Sequence, residues 1–153
     1  MDKNKNQSKK LNNRARGSHN LGRLIMQLQQ LERHPRTFGE AGALTPSEIH
    51  TIDAIGLEHG ILMSELADRL GVTKGAITQI VTRKKMKELV KRTPHPTDSR
   101  AVLVSLTEKG KDAYRAHETL HQHFYQQLRS QLDPKEIEIF ERCIEKLNTF
   151  LEK

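Results

Sequence analysis

Two short helices must meet around Gly71-Val72. Ser64–Leu70 has the apolar spacing of a helix of about two turns, with Leu66, Ala67 and Leu70 on one side. Gly71 is the residue type favoured just beyond a helix C-terminus. Thr73 is a favoured N-cap for the next helix, which buries Ile77, Ile80 and Val81. Lys74, Thr78, Gln79, Thr82 and Arg83 then fall largely on its other faces. A short helix, a Gly-containing turn and a second helix opened by small polar residues describe a helix-turn-helix.

The next stretch of chain strengthens that reading. Leu89–Thr93 and Ala101–Leu106 read as two strands. Pro94-His95-Pro96-Thr97-Asp98-Ser99-Arg100 joins them as a polar tip rich in turn formers. A hairpin placed there is a wing. Thr73, Gly75 and Ala76 are small enough for the second helix to approach a DNA groove, and Thr78, Gln79 and Thr82 offer hydrogen bonds to base edges. Ser64, Lys74, Arg83 and His95 join the expected DNA surface. Arg100 suits a narrow minor groove, where the negative potential is enhanced, and Asp98 is expected to orient it by a salt bridge. The bland alternative is a helical hairpin followed by an ordinary surface turn.

Charge decides between them. The chain has 153 residues and a formal net charge of +7, unevenly distributed. Residues 1–16 carry six cations against Asp2, a net of +5. Residues 83–100 carry seven cations against Glu88 and Asp98, again +5, which leaves −3 for the rest. A basic focus on the helix-turn-helix and wing is an electrostatic footprint for phosphate. The first focus, low in apolar residues, is expected to be a disordered tail over residues 1–17.

The remaining chain is helical. Leu21, Leu24, Ile25, Leu28 and Leu31 repeat at helical spacing behind Ser18 as N-cap, and Pro35 stops that helix near His34. Residues 36–43 read as a loop. Thr45-Pro46-Ser47-Glu48 is a capping box with Pro at the first helical position, and Asp133-Pro134-Lys135-Glu136 repeats it. The expected fold is mainly α with a small β-wing. Its divisions are the tail, an N-terminal dimerisation helix and loop over 18–44, a winged helix-turn-helix over 45–106 and C-terminal dimerisation helices over 107–153. Apolar residues make up 35% of the chain, lean for a self-contained globule, so the long helices are expected to share a core with a second chain. No run has the roughly 20 apolar residues of a membrane span. The N-terminus lacks an apolar signal segment, and Cys143 is the only cysteine, which fits a reducing cytoplasm.

With these motifs the chain resembles the MarR family of bacterial transcription regulators. The resemblance is carried by Leu44-Thr45, Ser64-Glu65-Leu66-Ala67, Leu70-Gly71-Val72-Thr73, Ile77-Thr78, Leu89-Val90-Lys91-Arg92, Asp98-Ser99-Arg100 and Leu106-Thr107-Glu108-Lys109-Gly110. It extends over about residues 18–151. It implies a winged-helix homodimer, joined through the first, fifth and sixth helices, on a near-palindromic operator. Two positions depart from the family. Lys84 stands where a buried Leu is usual and Glu88 where Gly closes the recognition helix. The end of that helix is therefore expected to be re-registered, with Met86 turned inward.

Eight histidines are many for this length. His117 and His121 are four apart, so they project from one helix face together with Ala113, Leu120, Phe124 and Leu128. Such a pair can bind a metal, but taken alone it reads better as two core histidines satisfied by backbone or water. The resemblance changes the weighing. Glu32, His50, His117 and His121 match, position by position, the metal site of the zinc-uptake repressors within the MarR family. Three His and one carboxylate make a closed tetrahedral set for Zn(II) in a sensing role. A second site of that branch corresponds here to Phe38, Ile49 and Ala116, which cannot ligate, so one Zn(II) per protomer is expected. His34, His59 and His123 could assist at that site but read better as ordinary surface. Two other readings stay open. In one, a small organic or phenolic ligand fills the same pocket and releases DNA. In the weaker one, the histidine pair and Glu118 form a zinc hydrolase.

Overall fold

The computed structural model describes residues 2–152, with side chains described for residue 7 and residues 9–152. Among the described residues, six helices surround a small antiparallel sheet. The first helix, α1 (Asp2–Glu32), begins at Asp2. The start expected at Ser18 is therefore corrected, and the stretch expected to be a disordered tail is helical from Asp2 onward. Met1, the first residue of that expected tail, lies outside the described residues. The physical reason for the longer helix is local. Residues 2–17 contain no proline, so the helix can propagate backwards once its apolar half has nucleated it.

The loop expected at 36–43 is more ordered than its glycines suggest. Strands β1 (Arg36–Thr37) and β2 (Ala43–Leu44) pair across a single 3-10 turn, Gly39–Ala41. Phe38 and Ala41 are buried by it. Helix α2 (Pro46–Ile55) starts on the expected capping box: the Glu48 amide donates to Thr45 Oγ1 and the Thr45 amide to Glu48 Oε2. It contributes Ile49, Ile52 and Ile55 to the core. Strand β3 (Ile61–Leu62) leads directly into α3 (Met63–Leu70), and α4 (Lys74–Thr82) comes next. Gly71 closes α3 in the left-handed region at φ 62°, with its amide and that of Val72 returning to the last turn.

Strands β4 (Val90–Pro94) and β5 (Val102–Leu106) form the wing. The sheet order is β3-β5-β4, so β5 is central. The pairing of Ile61 with Val104 pins the helix-turn-helix to the wing. Helices α5 (Glu108–Arg129) and α6 (Pro134–Leu151) complete the chain.

The core lies between α2, α3, α4 and the sheet, around Leu44, Ile52, Leu66, Ile77, Met86, Leu89 and Val104. Away from it the long helices are bare. No residue of α6 is buried, and Leu21, Leu24, Ile25 and Leu28 of α1 each leave more than two fifths of their surface open. The accessible surface is 12091 Å² for 17.6 kDa, whereas a compact monomer of that mass exposes about 7,900 Å². Part of the excess lies on α1 and α6, whose apolar faces are open among the described residues.

Candidate nucleic-acid interface and effector pocket

Thr73 caps α4, its Oγ1 accepting the Ala76 amide at 3.1 Å. Ile77 and Val81 are buried beneath the helix. Thr73, Lys74, Gly75, Thr78, Gln79 and Thr82 are all exposed and Ala76 is half-buried, so one surface carries the residues expected to face DNA. Ser64 is exposed on α3. The Thr78 and Thr82 hydroxyls donate to carbonyls of their own helix, Thr78 to Lys74 at 2.8 Å and Thr82 to Thr78 at 2.8 Å. Both hydroxyl oxygens keep lone pairs for a base or phosphate donor.

Arg83 is engaged elsewhere. Its Nη1 donates to Ser47 Oγ at 3.2 Å and lies 3.7 Å from Glu48 Oε1. It therefore ties the end of the recognition helix to the start of α2.

The two departures at the end of α4 have a physical account. The helix stops at Thr82, because Arg83 turns to ψ 144°. A 3-10 turn, Met86–Glu88, then places Met86 at 0% exposure while Lys84 stays on the surface. Met86 thus fills the core in place of the usual Leu, as the re-registration requires. Among the described residues no side-chain-bearing residue has a positive φ, Glu88 included, so no glycine is needed for the turn. Glu88 reaches Lys109 at 2.7 Å, and its carbonyl accepts from Thr107 Oγ1 at 2.7 Å. The Lys109 ammonium holds the Glu88 carboxyl below its usual range.

At the wing tip, Asp98 Oδ1 accepts the backbone amide of Arg100 at 3.0 Å. Asp98 orders Arg100 through the main chain, a correction to the side-chain salt bridge expected between them. Arg100 is exposed. His95 Nδ1 accepts the amides of Thr97 and Asp98 at 3.2 Å each, which requires an unprotonated Nδ1 and leaves Nε2 to donate outward.

A pocket of about 410 Å³ opens between α1, α2 and α5. Glu32, His50, His117 and His121 all line it, with an apolar wall that includes Leu28, Leu31, Phe38, Leu44, Ile49, Leu120 and Phe124. His34 and His123, expected to be plain surface, also border it. Glu118 is exposed and is not part of the lining. His50 Nε2 lies 3.8 Å from Glu32 Oε1. The His117 ring centroid is 4.1 Å from that of His121 and 6.4 Å from that of His50. Three imidazoles on one tetrahedral zinc place their centroids about 5 Å apart. These two spacings lie on either side of that value. Among the described residues, no three His, Cys, Asp or Glu side chains converge on a metal position, so these side chains would have to turn to hold one.

Asp53 completes the cluster, although no motif in the sequence marks it. Its Oδ2 lies 2.5 Å from His117 Nδ1. The approach is off the N–H axis, so this buried nitrogen makes no aligned hydrogen bond. Burial pushes the Asp53 carboxyl up, against the pull of His117, His121 and His50. Burial also pushes the His117 imidazole down, partly offset by Asp53. The one signal in the sequence is the position of Asp53, three residues after His50 on the same helix face.

The fold and this surface define a winged-helix DNA-binding protein. Residues 44–101 match the family model described as MarR family. The multiple antibiotic resistance protein MarR of Escherichia coli is 31% identical over 129 residues, covering 83% of this chain and 90% of the relative. The Salmonella typhimurium MarR is 30% identical over the same shares. The structure of Streptococcus pneumoniae FabT in complex with DNA superposes with a TM-score of 0.77 at 25% identity, over 90% of this chain and 96% of that one. A zinc-responsive MarR family member, Lactococcus lactis ZitR, shares the fold with a TM-score of 0.62 at 24% identity, over 90% of this chain and 98% of that one. The chain belongs to the MarR family and is a DNA-binding transcriptional regulator, not an enzyme. Among the described residues, no helix is long and apolar enough to cross a membrane.

Proposed function

We propose that the chain acts as a homodimeric repressor on a near-palindromic operator, with Zn(II) as the signal that sets its operator affinity. Glu32, His50, His117 and His121 on three helices around one pocket carry this reading. Bound there, Zn(II) would supply a closed link of three imidazoles and one carboxylate. Glu32 belongs to the helix that pairs with a second chain, and His50 to the helix-turn-helix lobe. The histidine pair sits on α5, between them. Fixing these residues together fixes the lobe's angle, and so the spacing of two recognition helices on successive major grooves. The exposed apolar faces of α1 and α6 form the dimer platform, and Lys74, Gln79 and Arg100 meet the duplex.

The test is fluorescence anisotropy of a fragment of the protein's own promoter, titrated in zinc and in chelator at one salt concentration. Zinc is expected to tighten binding tenfold or more, about 1.4 kcal/mol of coupling, and His117→Ala to abolish that gain. By linkage, the operator must tighten zinc binding by the same factor.

A second reading rests on the apolar wall of the same pocket, whose volume lies within the range of small-ligand sites. A phenolic or other small organic ligand would then release DNA. Tight binding indifferent to zinc, but weakened by such a ligand, selects that reading.

A further inference from the structure

We propose that Asp53 is a positioning residue of this metal site: its carboxylate holds His117 at Nδ1 and commits Nε2 to the metal. The inference rests on the zinc reading above and names a residue outside its four ligands. Asp53 and His50 lie three apart on α2, so they share the face turned towards α5. Asp53 Oδ2 is 2.5 Å from His117 Nδ1, and the His117 side chain is only 8% exposed. Phe38 packs edge-on against the same ring, with centroids 5.4 Å apart. The ring is thus confined by an aromatic wall and by a carboxylate. Among the described residues Nδ1 makes no aligned hydrogen bond, and the Asp53 carboxylate lies against it off-axis. A small rotation of the Asp53 carboxylate, which is one-third exposed and free to turn, brings it into line.

The chemistry favours this division of labour. An imidazole that ligates through one nitrogen donates its other N–H to a carboxylate or carbonyl, which fixes the tautomer and raises the basicity of the ligating nitrogen. Glu32 is the less constrained carboxylate: it is 64% exposed and sits at the end of its helix, 3.8 Å from His50. It can swing to the metal, whereas Asp53 already faces the His117 nitrogen that would carry the proton.

The experiment compares the full chain with Asp53→Asn, which keeps the shape and removes the charge. Zinc affinity is measured by competition with a chromogenic chelator at fixed pH, and Co(II) absorption reports coordination. The expected result is a 10–100-fold weaker zinc affinity with Co(II) bands of unchanged position and intensity. An unchanged affinity with a shifted thermal midpoint of the metal-free protein makes Asp53 purely structural and overturns the inference. Altered Co(II) bands make Asp53 a ligand and overturn it as well. If the wild type binds neither metal, the zinc reading itself falls. Should the variant fail to fold, long-range proton–nitrogen spectra of the wild-type zinc complex decide: Nδ1 protonated and Nε2 metal-bound on His117 supports the inference, and the reverse overturns it.

Discussion

Gly110 lies so close to Leu89 that a Cβ added to it would sit 2.1 Å from the Leu89 carbonyl oxygen. That same oxygen accepts the Thr107 amide at 2.9 Å. The first turn of α5 is therefore seated directly on the residue that leads into β4. Gly110→Ala is expected to destabilise the protein by about 1–3 kcal/mol, because the obstructing atom is backbone and cannot rotate away. Alanine's helix propensity returns up to about 1 kcal/mol of this. Urea denaturation checks it, and a variant as stable as the wild type would disprove the contact.

Met86 and Lys84 give opposite results if the recognition helix ends as described. Met86 is fully buried, and Met86→Ala is expected to cost about 2–5 kcal/mol. Lys84 is exposed, and Lys84→Ala is expected to change stability by less than about 0.5 kcal/mol. Equal losses at both positions would mean that the usual register is kept.

Lys74 and Arg83 are both cations on the recognition helix, yet they should differ in salt dependence. Lys74 is exposed at the helix start, so Lys74→Ala is expected to lower the slope of log affinity against log salt by about one. Arg83 already faces Glu48 at 3.7 Å, so Arg83→Ala is expected to lower it by clearly less. Anisotropy titrations at several salt concentrations separate the two. A larger effect at Arg83 would mean that it leaves Glu48 to reach a phosphate.

The metal-free protein should lose stability on mild acidification. Burial holds the His117 imidazole below its ordinary 6.5, more strongly than Asp53 raises it. The unfolded chain therefore takes up a proton that the folded chain refuses. The stabilisation is present above pH about 6.5 and is lost as the pH falls through that value towards the lower folded one. Asp53 works in the opposite sense and in a more acidic window, since its raised folded value removes stability as the pH rises through 3.8. Urea midpoints in chelator at a series of pH values check the slope. The His117 ring-proton titration should have its midpoint below 6.5, and a midpoint above it would show that the Asp53 charge outweighs burial.

Most helix boundaries were legible because their signals act over a few residues. Thr45 with Glu48, Asp133 with Glu136, Thr73 and Gly71 each satisfy backbone groups of their own helix end. The wing strands, too, lie within one residue of their expected limits. The inward turn of Met86 was legible for a related reason: a charged Lys84 cannot occupy a core position, so the nearest apolar residue must.

Other features were decided elsewhere. Strand β3 has only two residues, too few for any alternation, and exists because β5 offers it a partner. The backward extension of α1 runs through four Asn and Gly17, so local propensity does not mark it. Arg83 looked like a DNA contact on its own helix, and only the packing of α4 beside α2 brings Ser47 and Glu48 within its reach. Asp53 shows the limit most clearly. The sequence by itself determined that His50 and Asp53 share one face of α2, and that His117 and His121 share one face of α5, since helical period alone sets both. Which of these side chains meet depends on how the two helices cross. Asp53 meets His117 only in the folded chain, where α2 and α5 pack through Ile49, Ile52 and Ala113, and that packing joins residues far apart in the sequence.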